Sequence, residues 1–181
     1  MKIKINMSAN LKIPFLSLFL ILTFLGCSDA KKPKPVATNP YLKELTEKQI
    51  GESNYYISIP KKYTIKENRG PDFSVYYFYP ADTSDTTSFS GGFYFGNHPS
   101  EFQVNSDSCK TEKIKSKILN KNADWTVYNC QGKYSIQSII ESGSDEGWNQ
   151  YIHAFAGANS STDLKKVFLI LETMKRKKSS K

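Results

Sequence analysis

The sequence has few of the residues and motifs on which enzymes depend. It contains two histidines, His98 and His153, and neither has a second ligand residue at a spacing typical of metal sites. It contains no Gly-x-Ser-x-Gly elbow, no phosphate-binding glycine loop and no His-Glu-x-x-His motif. We therefore predict a protein that is not an enzyme and that has no catalytic residues, no metal ion and no cofactor.

The folded part of the chain also lacks the excess of positive charge that nucleic-acid binding requires. The formal net charge is +8, but the basic residues concentrate near the two ends, and residues 39–174 carry a net charge of −2. Lysine and arginine side chains bind nucleic acids by displacing counterions from the phosphates. We therefore predict no nucleic-acid partner. An AT-rich coding bias is one explanation for the 23 Lys and 2 Arg of the chain, so we draw no function from this ratio.

No apolar run is long enough for an ordinary membrane-spanning helix, which needs about 20 residues. The apolar stretch at residues 13–25 follows three lysines and ends at Gly26 and Cys27, a pattern typical of a cleaved export signal. The segment Phe24-Leu25-Gly26-Cys27 resembles the signal of bacterial lipoproteins, in which a small residue precedes an invariant cysteine. An alternative is a soluble secreted protein that is cleaved near Ala30.

The lipoprotein resemblance implies that the signal peptide is removed before Cys27 and that this cysteine is acylated, for example with palmitate. Acyl chains would then anchor the mature protein to a lipid bilayer in the cell envelope. Ser28 stands where an aspartate would resemble an inner-membrane retention signal, so we predict the outer membrane, on its periplasmic or its surface face. Residues 1–26 would be the signal peptide and residues 27–40, rich in proline and lysine, a lipidated tether.

Residues 41–178 are predicted to form one globular domain, followed by a tail at 179–181. Apolar residues alternate along seven segments, which predicts strands at residues 54–59, 62–67, 72–79, 88–96, 125–130, 133–142 and 148–155. Aromatic residues on both faces of 72–79 indicate an interior strand. Asn39 and Pro40 predict a short helix at 41–48, and apolar spacing predicts another at 162–178, ending in a solvated basic run. Residues 110–120 fit a helix or a strand.

Short connections favour an antiparallel sheet, so the predicted fold class is α+β. We expect a single sheet of about six to seven strands, covered by the C-terminal helix and by the short N-terminal one. The order of segments beginning at Tyr56-Ile57-Ser58-Ile59-Pro60 resembles the PsbP-like fold of DcrB-type envelope lipoproteins. That family also includes chaperones of secreted toxins.

Two cysteines remain when Cys27 is assigned to the lipid. In an exported protein an even pair is interpreted first as a disulfide, so we predict a bond between Cys109 and Cys130. The alternative is a redox pair, but the two residues lack the Cys-x-x-Cys spacing. Gly91 and Gly92 lie within a predicted strand, which indicates a bulge or a close approach of another backbone.

The chain is rich in aromatic residues, with 11 Tyr, 11 Phe and 2 Trp. Tyrosine is enriched at binding surfaces because it joins an apolar ring to a polar tip. The candidate binding residues are Tyr76, Tyr94, His98 and Trp148. Under the alternative interpretation, the aromatic rings fill a core between sheet and helix and leave their hydroxyl groups at its rim.

These features lead to three hypotheses for function. The first is a non-catalytic lipoprotein that binds another protein, as an immunity factor or chaperone-like factor towards a secreted toxin. The second is a lipoprotein that binds a small ligand in an aromatic cleft. The third is an uncharacterised hydrolase, which would require His98 or His153 to lie beside carboxylates in a pocket.

Overall fold

The computed structural model describes residues 39–82, 84, 88–104, 107–143 and 149–178. These residues belong to one compact unit that begins at Thr38. The predicted signal peptide, Cys27, most of the tether, Trp148 and the tail at 179–181 lie outside the described residues. Among the described helices, none has both the length and the apolar character needed to cross a membrane.

The described residues form ten strands, one α-helix and one turn of 3-10 helix at Pro40–Glu44. The first five strands are β1 (Leu45–Gln49), β2 (Tyr55–Pro60), β3 (Tyr63–Arg69), β4 (Ser74–Pro80) and β5 (Phe89–Gly96). The next four are β6 (Cys109–Ile118), β7 (Lys121–Cys130), β8 (Lys133–Glu141) and β9 (Tyr151–Ala158). Helix α1 (Ser161–Glu172) and strand β10 (Lys175–Arg176) complete the domain.

The strands form two sheets in which every pairing is antiparallel. Seven strands lie in the order β3-β4-β5-β9-β8-β7-β6, and the other three lie in the order β1-β2-β10. The prediction of a largely antiparallel β structure with a C-terminal helix is therefore confirmed. The prediction of a single sheet is wrong, because β2 does not join the large sheet. It pairs instead with β1 near the start of the domain and with β10 near its end.

Helix α1 packs against one face of the seven-stranded sheet, which we call the inner face. Its apolar side is buried, with Leu164, Val167, Ile170 and Leu171 below one-tenth exposure. Phe168 meets Trp125 of β7 edge-on, with ring centroids 5.7 Å apart. The Ser160 side chain caps the helix by accepting a hydrogen bond from the Asp163 amide at 3.1 Å. The core therefore lies between α1 and the inner face.

A tight hairpin joins β6 to β7 and settles the ambiguous residues 110–120 as strand. Leu119 and Asn120, between the two strands, both have positive φ, as a two-residue type I′ turn requires. At the far end of the hairpin, Cys109 and Cys130 are directly opposite each other and form a disulfide, with Cα atoms 4.2 Å apart. The predicted bond is present. In the chain-entropy model it contributes on the order of 3 kcal/mol.

The N-terminal segment differs from its prediction. The Asn39 side chain caps the 3-10 turn by accepting a hydrogen bond from the Tyr41 amide at 3.0 Å, so the start signal is correct. The predicted helix at 41–48 is wrong, however, because the chain leaves the turn at Leu45 and pairs with β2. Ile57 and Ile59 of β2 are completely buried, and an extended partner satisfies the backbone of this buried strand.

The C-terminal segment differs for the same reason. The predicted helix at 162–178 ends at Glu172, where the Thr173 hydroxyl donates a hydrogen bond to the Ile170 carbonyl at 2.6 Å. The basic residues that follow do not form a solvated tail throughout, since Lys175 and Arg176 pair with Tyr56 and Tyr55. Strand β2 is thus paired along both of its edges.

Candidate functional site

The face of the seven-stranded sheet opposite α1, the outer face, has a covered half and an open half. Residues 97–104, which we call the covering segment, cross β7, β8 and β9 and contact them through Phe102. No described segment covers the outer face of β3, β4 and β5 in the same way, so their aromatic side chains are accessible there. Among the described residues, Phe73 and Tyr77 are the large apolar side chains most exposed to solvent, at 36% and 40% exposure.

Gln137 of β8 organises the covered half, although it is a polar residue with no exposed surface. Its amide oxygen accepts a hydrogen bond from the Phe102 amide at 2.9 Å, and its amide nitrogen donates to the Phe102 carbonyl at 2.6 Å. The side chain thus pairs with the covering segment as a neighbouring strand would. Tyr128 strengthens this attachment by donating to the same carbonyl at 3.2 Å. Buried polar groups are stable only when they are paired in this way.

His153 of β9 belongs to the same network. Its Nε2 lies 3.0 Å from the Gln137 amide oxygen, which also accepts from Phe102, so Nε2 carries the proton in this arrangement. The Phe102 ring lies against the imidazole with centroids 6.1 Å apart. Burial lowers the pKa of His153, while Glu101 opposes that shift. A neutral histidine that donates a structural hydrogen bond fits this site better than a catalytic base.

The open half contains an aromatic groove, which we define by Tyr77 and Tyr79 on β4, Ser90 on β5, and Phe155 and Gly157 on β9. It borders a cavity of about 540 Å³. The floor is low because Gly157 has no side chain, and a Cβ placed there would meet nothing closer than the Tyr134 carbonyl oxygen at 3.8 Å. The Tyr77 and Phe155 rings meet edge-on with centroids 5.9 Å apart.

Gly91 and Gly92 have no side chains, and neighbouring atoms therefore lie close to the backbone of β5 at these two positions. A Cβ on Gly91 would lie 2.6 Å from the backbone oxygen of Phe155, and one on Gly92 would lie 2.6 Å from the backbone oxygen of Tyr76. The pairing of β5 with β4 and β9 continues through both glycines without an extra residue. Of the two predicted roles, the close approach is the correct one, and there is no bulge here.

A third region, at one end of the domain, collects both arginines of the chain. We call it the arginine cleft; it has a volume of about 390 Å³. Its lining includes Arg69, Arg176, Asn54, Asn149, Tyr55 and Tyr76. A neighbouring cavity of about 340 Å³ shares Arg69 and Asn149 and extends to Phe73. Residues far apart in sequence meet here because the start of β2 lies close to the ends of β3 and β10.

The four predicted binding residues do not form one site. Tyr76 lines the arginine cleft, and its hydroxyl donates a hydrogen bond to Glu67 at 3.3 Å. Tyr94 stacks on Phe73, with centroids 5.7 Å apart, beside the second cavity. His98 is exposed at the start of the covering segment and is not part of either cavity. Trp148 lies outside the described residues.

Sequence reasoning missed Gln137, Phe102 and both arginines. The contacts of Gln137 depend on a loop whose path the sequence does not encode in any periodic pattern. The two arginines lie far apart in the sequence, at positions 69 and 176, and no local pattern indicates that they meet. Within the described ranges, no three His, Cys, Asp or Glu residues lie close enough to hold a metal ion.

Comparisons with known proteins identify no relative of this chain. No protein-family description matches it, no curated protein is significantly similar in sequence, and no solved structure is significantly similar in fold.

Proposed function

We propose that the protein is a lipid-anchored, non-catalytic binding protein of the bacterial envelope, and that its open half docks another protein. The partner we propose is a secreted protein, with toxins as the first class to test because of the resemblance to PsbP-like toxin chaperones. Cys27 carries the anchor in this proposal, and the outer membrane is the proposed location.

The aromatic groove is the observation that carries the docking proposal. Exposed Tyr77 and half-buried Phe155 line the aromatic groove, and Gly157 lies at its floor. Tyrosine rings at such a surface supply large contact area at a small entropic cost, and residues of this kind dominate protein interfaces. The groove also adjoins β3, which has β4 as its one strand partner among the described residues. An extended segment can therefore lie along this edge.

The charge of the outer face specifies the chemistry of the partner. Within the described strands of the open half, β3, β4 and β5, the one charged side chain on the outer face is a cation, Lys66. Lys66 stands directly opposite Tyr77 in the ladder. Complementary charges steer association and fix the register of a complex. The partner segment that fits is extended and apolar, with acidic residues at its flanks.

Site-specific photo-cross-linking in living cells tests the docking proposal. A benzophenone amino acid at Tyr77 should cross-link a secreted protein through an apolar segment flanked by acids. The same reporter at Lys117, at the opposite edge of the sheet, should give no such product.

A second substitution separates docking from chance proximity. Gly157→Val places a branched side chain in the groove, and its Cβ would make only an ordinary van der Waals contact, at 3.8 Å from the Tyr134 carbonyl oxygen, so it should abolish the Tyr77 cross-link and leave the fold intact. Thr111→Val, on the outer face of β6, is the matched control and should preserve the cross-link. The proposal fails if the Tyr77 product survives Gly157→Val, or if its cross-linked segment lacks acidic residues.

Metabolic labelling with an alkyne fatty acid tests the anchor independently. The full chain should incorporate the label, and Cys27→Ser should lose it. Cys109→Ser should retain the label, because that cysteine belongs to the disulfide. A labelled Cys27→Ser chain would disprove acylation at this position without bearing on the groove.

A further inference from the structure

We infer that the arginine cleft is a binding site for a small organic oxyanion, a carboxylate or a phosphate attached to an apolar body. The inference concerns a different region from the aromatic groove and does not depend on protein docking.

The choice of cation supports an oxyanion ligand. Lysine supplies positive charge at 23 positions in this chain, yet both cations that line the cleft are arginines. The guanidinium group presents several N–H donors in a planar fork that matches a carboxylate or a phosphate, whereas the lysine ammonium acts as a point charge. Arginine is therefore used where the shape of the bound anion matters.

Arg69 is held in position by an acidic neighbour. Its Nε donates to Glu67 at 2.8 Å, and the same carboxylate oxygen accepts hydrogen bonds from the hydroxyls of Ser74 and Tyr76. Burial alone would raise the pKa of Glu67, but the hydrogen bonds from Arg69, Ser74 and Tyr76 lower it, so the carboxylate stays charged. Among the described residues, Glu67 is the one ion-pair partner of Arg69, which leaves the two terminal nitrogens for a ligand.

Arg176 is held by different contacts. Its Nη1 donates to the Gly143 carbonyl, and its guanidinium lies 5.8 Å from the centre of the Tyr55 ring. Tyr55 is fixed in turn, since its hydroxyl donates to the Ser142 carbonyl at 2.9 Å. Neither contact neutralises the charge of Arg176. A cation that is already oriented loses less conformational freedom when a ligand binds.

The remaining lining distinguishes the two ends of a ligand. Asn54 and Asn149 offer amide donors beside the guanidinium groups, and exposed Glu52 at the rim disfavours anions with a high charge. The neighbouring cavity leads to Phe73, which is 36% exposed and stacked on Tyr94. An apolar body attached to the anionic group therefore has an aromatic surface to contact.

Nuclear magnetic resonance tests this inference directly, because two arginines give two side-chain Nε–Hε signals. We would titrate the full chain, held in a maltoside detergent at constant ionic strength, with inorganic phosphate, acetate and phenyl phosphate. Both signals should move, saturate, and give the same dissociation constant for a given probe. Comparing phosphate with acetate identifies the preferred oxyanion. Phenyl phosphate should bind at least about threefold more tightly than inorganic phosphate because of Phe73.

Two charge-matched variants complete the test. Arg176→Gln should weaken the response of Arg69 to phenyl phosphate by at least about tenfold. Lys110→Gln removes one positive charge from an exposed position of β6, at the other edge of the sheet, and should change the response less than twofold. The inference is overturned if neither signal saturates with any probe, if the two signals report different constants, or if Lys110→Gln weakens binding as much as Arg176→Gln. Equal affinities for phenyl phosphate and inorganic phosphate would remove Phe73 from the site.

Discussion

The two halves of the outer face differ in how their side chains are satisfied. In the covered half, Gln137 and His153 are buried polar groups whose hydrogen-bond partners lie within the protein. In the open half, Tyr77 is largely apolar and remains accessible to solvent. Buried polar side chains in one half and exposed aromatic side chains in the other are the reverse of the usual distribution, in which apolar groups are buried and polar groups are exposed. The covering segment therefore acts as part of the fold, whereas the open half is available to another molecule.

The first way to break this contrast is to remove the polar group under the covering segment. Gln137→Leu preserves the size of the side chain but deprives the Phe102 amide and the His153 Nε2 of their acceptor. It also leaves Tyr128 as the one described donor to the Phe102 carbonyl. Because buried groups without partners are costly, we expect a loss of about 4 kcal/mol in the free energy of unfolding. Urea unfolding of the full chain with its disulfide intact measures this loss.

Gln103→Leu is the control for the Gln137 prediction. It makes the same chemical change at an exposed position of the covering segment and should alter the free energy of unfolding by less than about 0.5 kcal/mol. Equal losses in the two variants would mean that the Gln137 contacts do not hold the segment.

A smaller effect should separate two tyrosines that share the outer face. The Tyr128 hydroxyl donates to Phe102 at 3.2 Å and accepts from Gln137 at 3.3 Å, so Tyr128→Phe should reduce the free energy of unfolding by about 1 kcal/mol. Tyr77→Phe removes the same atom in the open half and should have an effect below about 0.5 kcal/mol. Both variants keep the aromatic ring, so the difference between their two losses in unfolding free energy, measured by urea unfolding, reports how much more the hydroxyl contributes in the covered half than in the open half. A Tyr77→Phe loss as large as that of Tyr128→Phe would contradict it.

Much of the large sheet was predictable, because its signals are local. Alternation predicts β4, and its interior position between β3 and β5 agrees with aromatic residues on both of its faces. The strands predicted at 125–130 and 133–142 leave two residues between them for a turn, Gln131 and Gly132, and both have positive φ. The disulfide followed from the cysteine count and from the inferred export. In each of these cases the decisive interaction lies within a strand or between neighbours in the chain.

The small sheet was not predictable, because its two outer strands take their conformation from β2. The segment Leu45–Gln49 has no strand pattern of its own, and neither has Lys175–Arg176. They become strands because the core buries Ile57 and because Glu47 of β1 forms ion pairs with Lys175 and Lys177. Such pairings join the two ends of the domain, and they cannot be predicted from a sequence window of ten residues because the partners lie far apart in the chain.

The candidate site follows the same rule. Tyr76 was predicted to bind a ligand, and the structure gives it a cleft, but its partners Arg69 and Arg176 lie on strands of different sheets. The two arginines lie in one cleft because β10 pairs with the start of β2, and local sequence patterns do not encode this pairing. The composition did not identify the site either, because two arginines among 23 lysines do not by themselves mark a binding position.

The smallest expected effect is a pH dependence confined to the covered half. Because burial lowers the pKa of His153 in the folded protein, the unfolded chain binds a proton more readily as the pH falls below about 6.5. The stabilising contribution is therefore complete above that pH and declines as the pH falls towards the lowered, folded-state pKa. His153→Phe keeps a ring against Phe102 and should flatten the slope of the unfolding free energy between pH 5 and about 6.5. His98→Phe, at an exposed position, should leave that slope as it is in the parent chain. If both variants keep the parent slope, a carboxylate controls the acid response and His153 is not the group that makes the covering segment sensitive to pH.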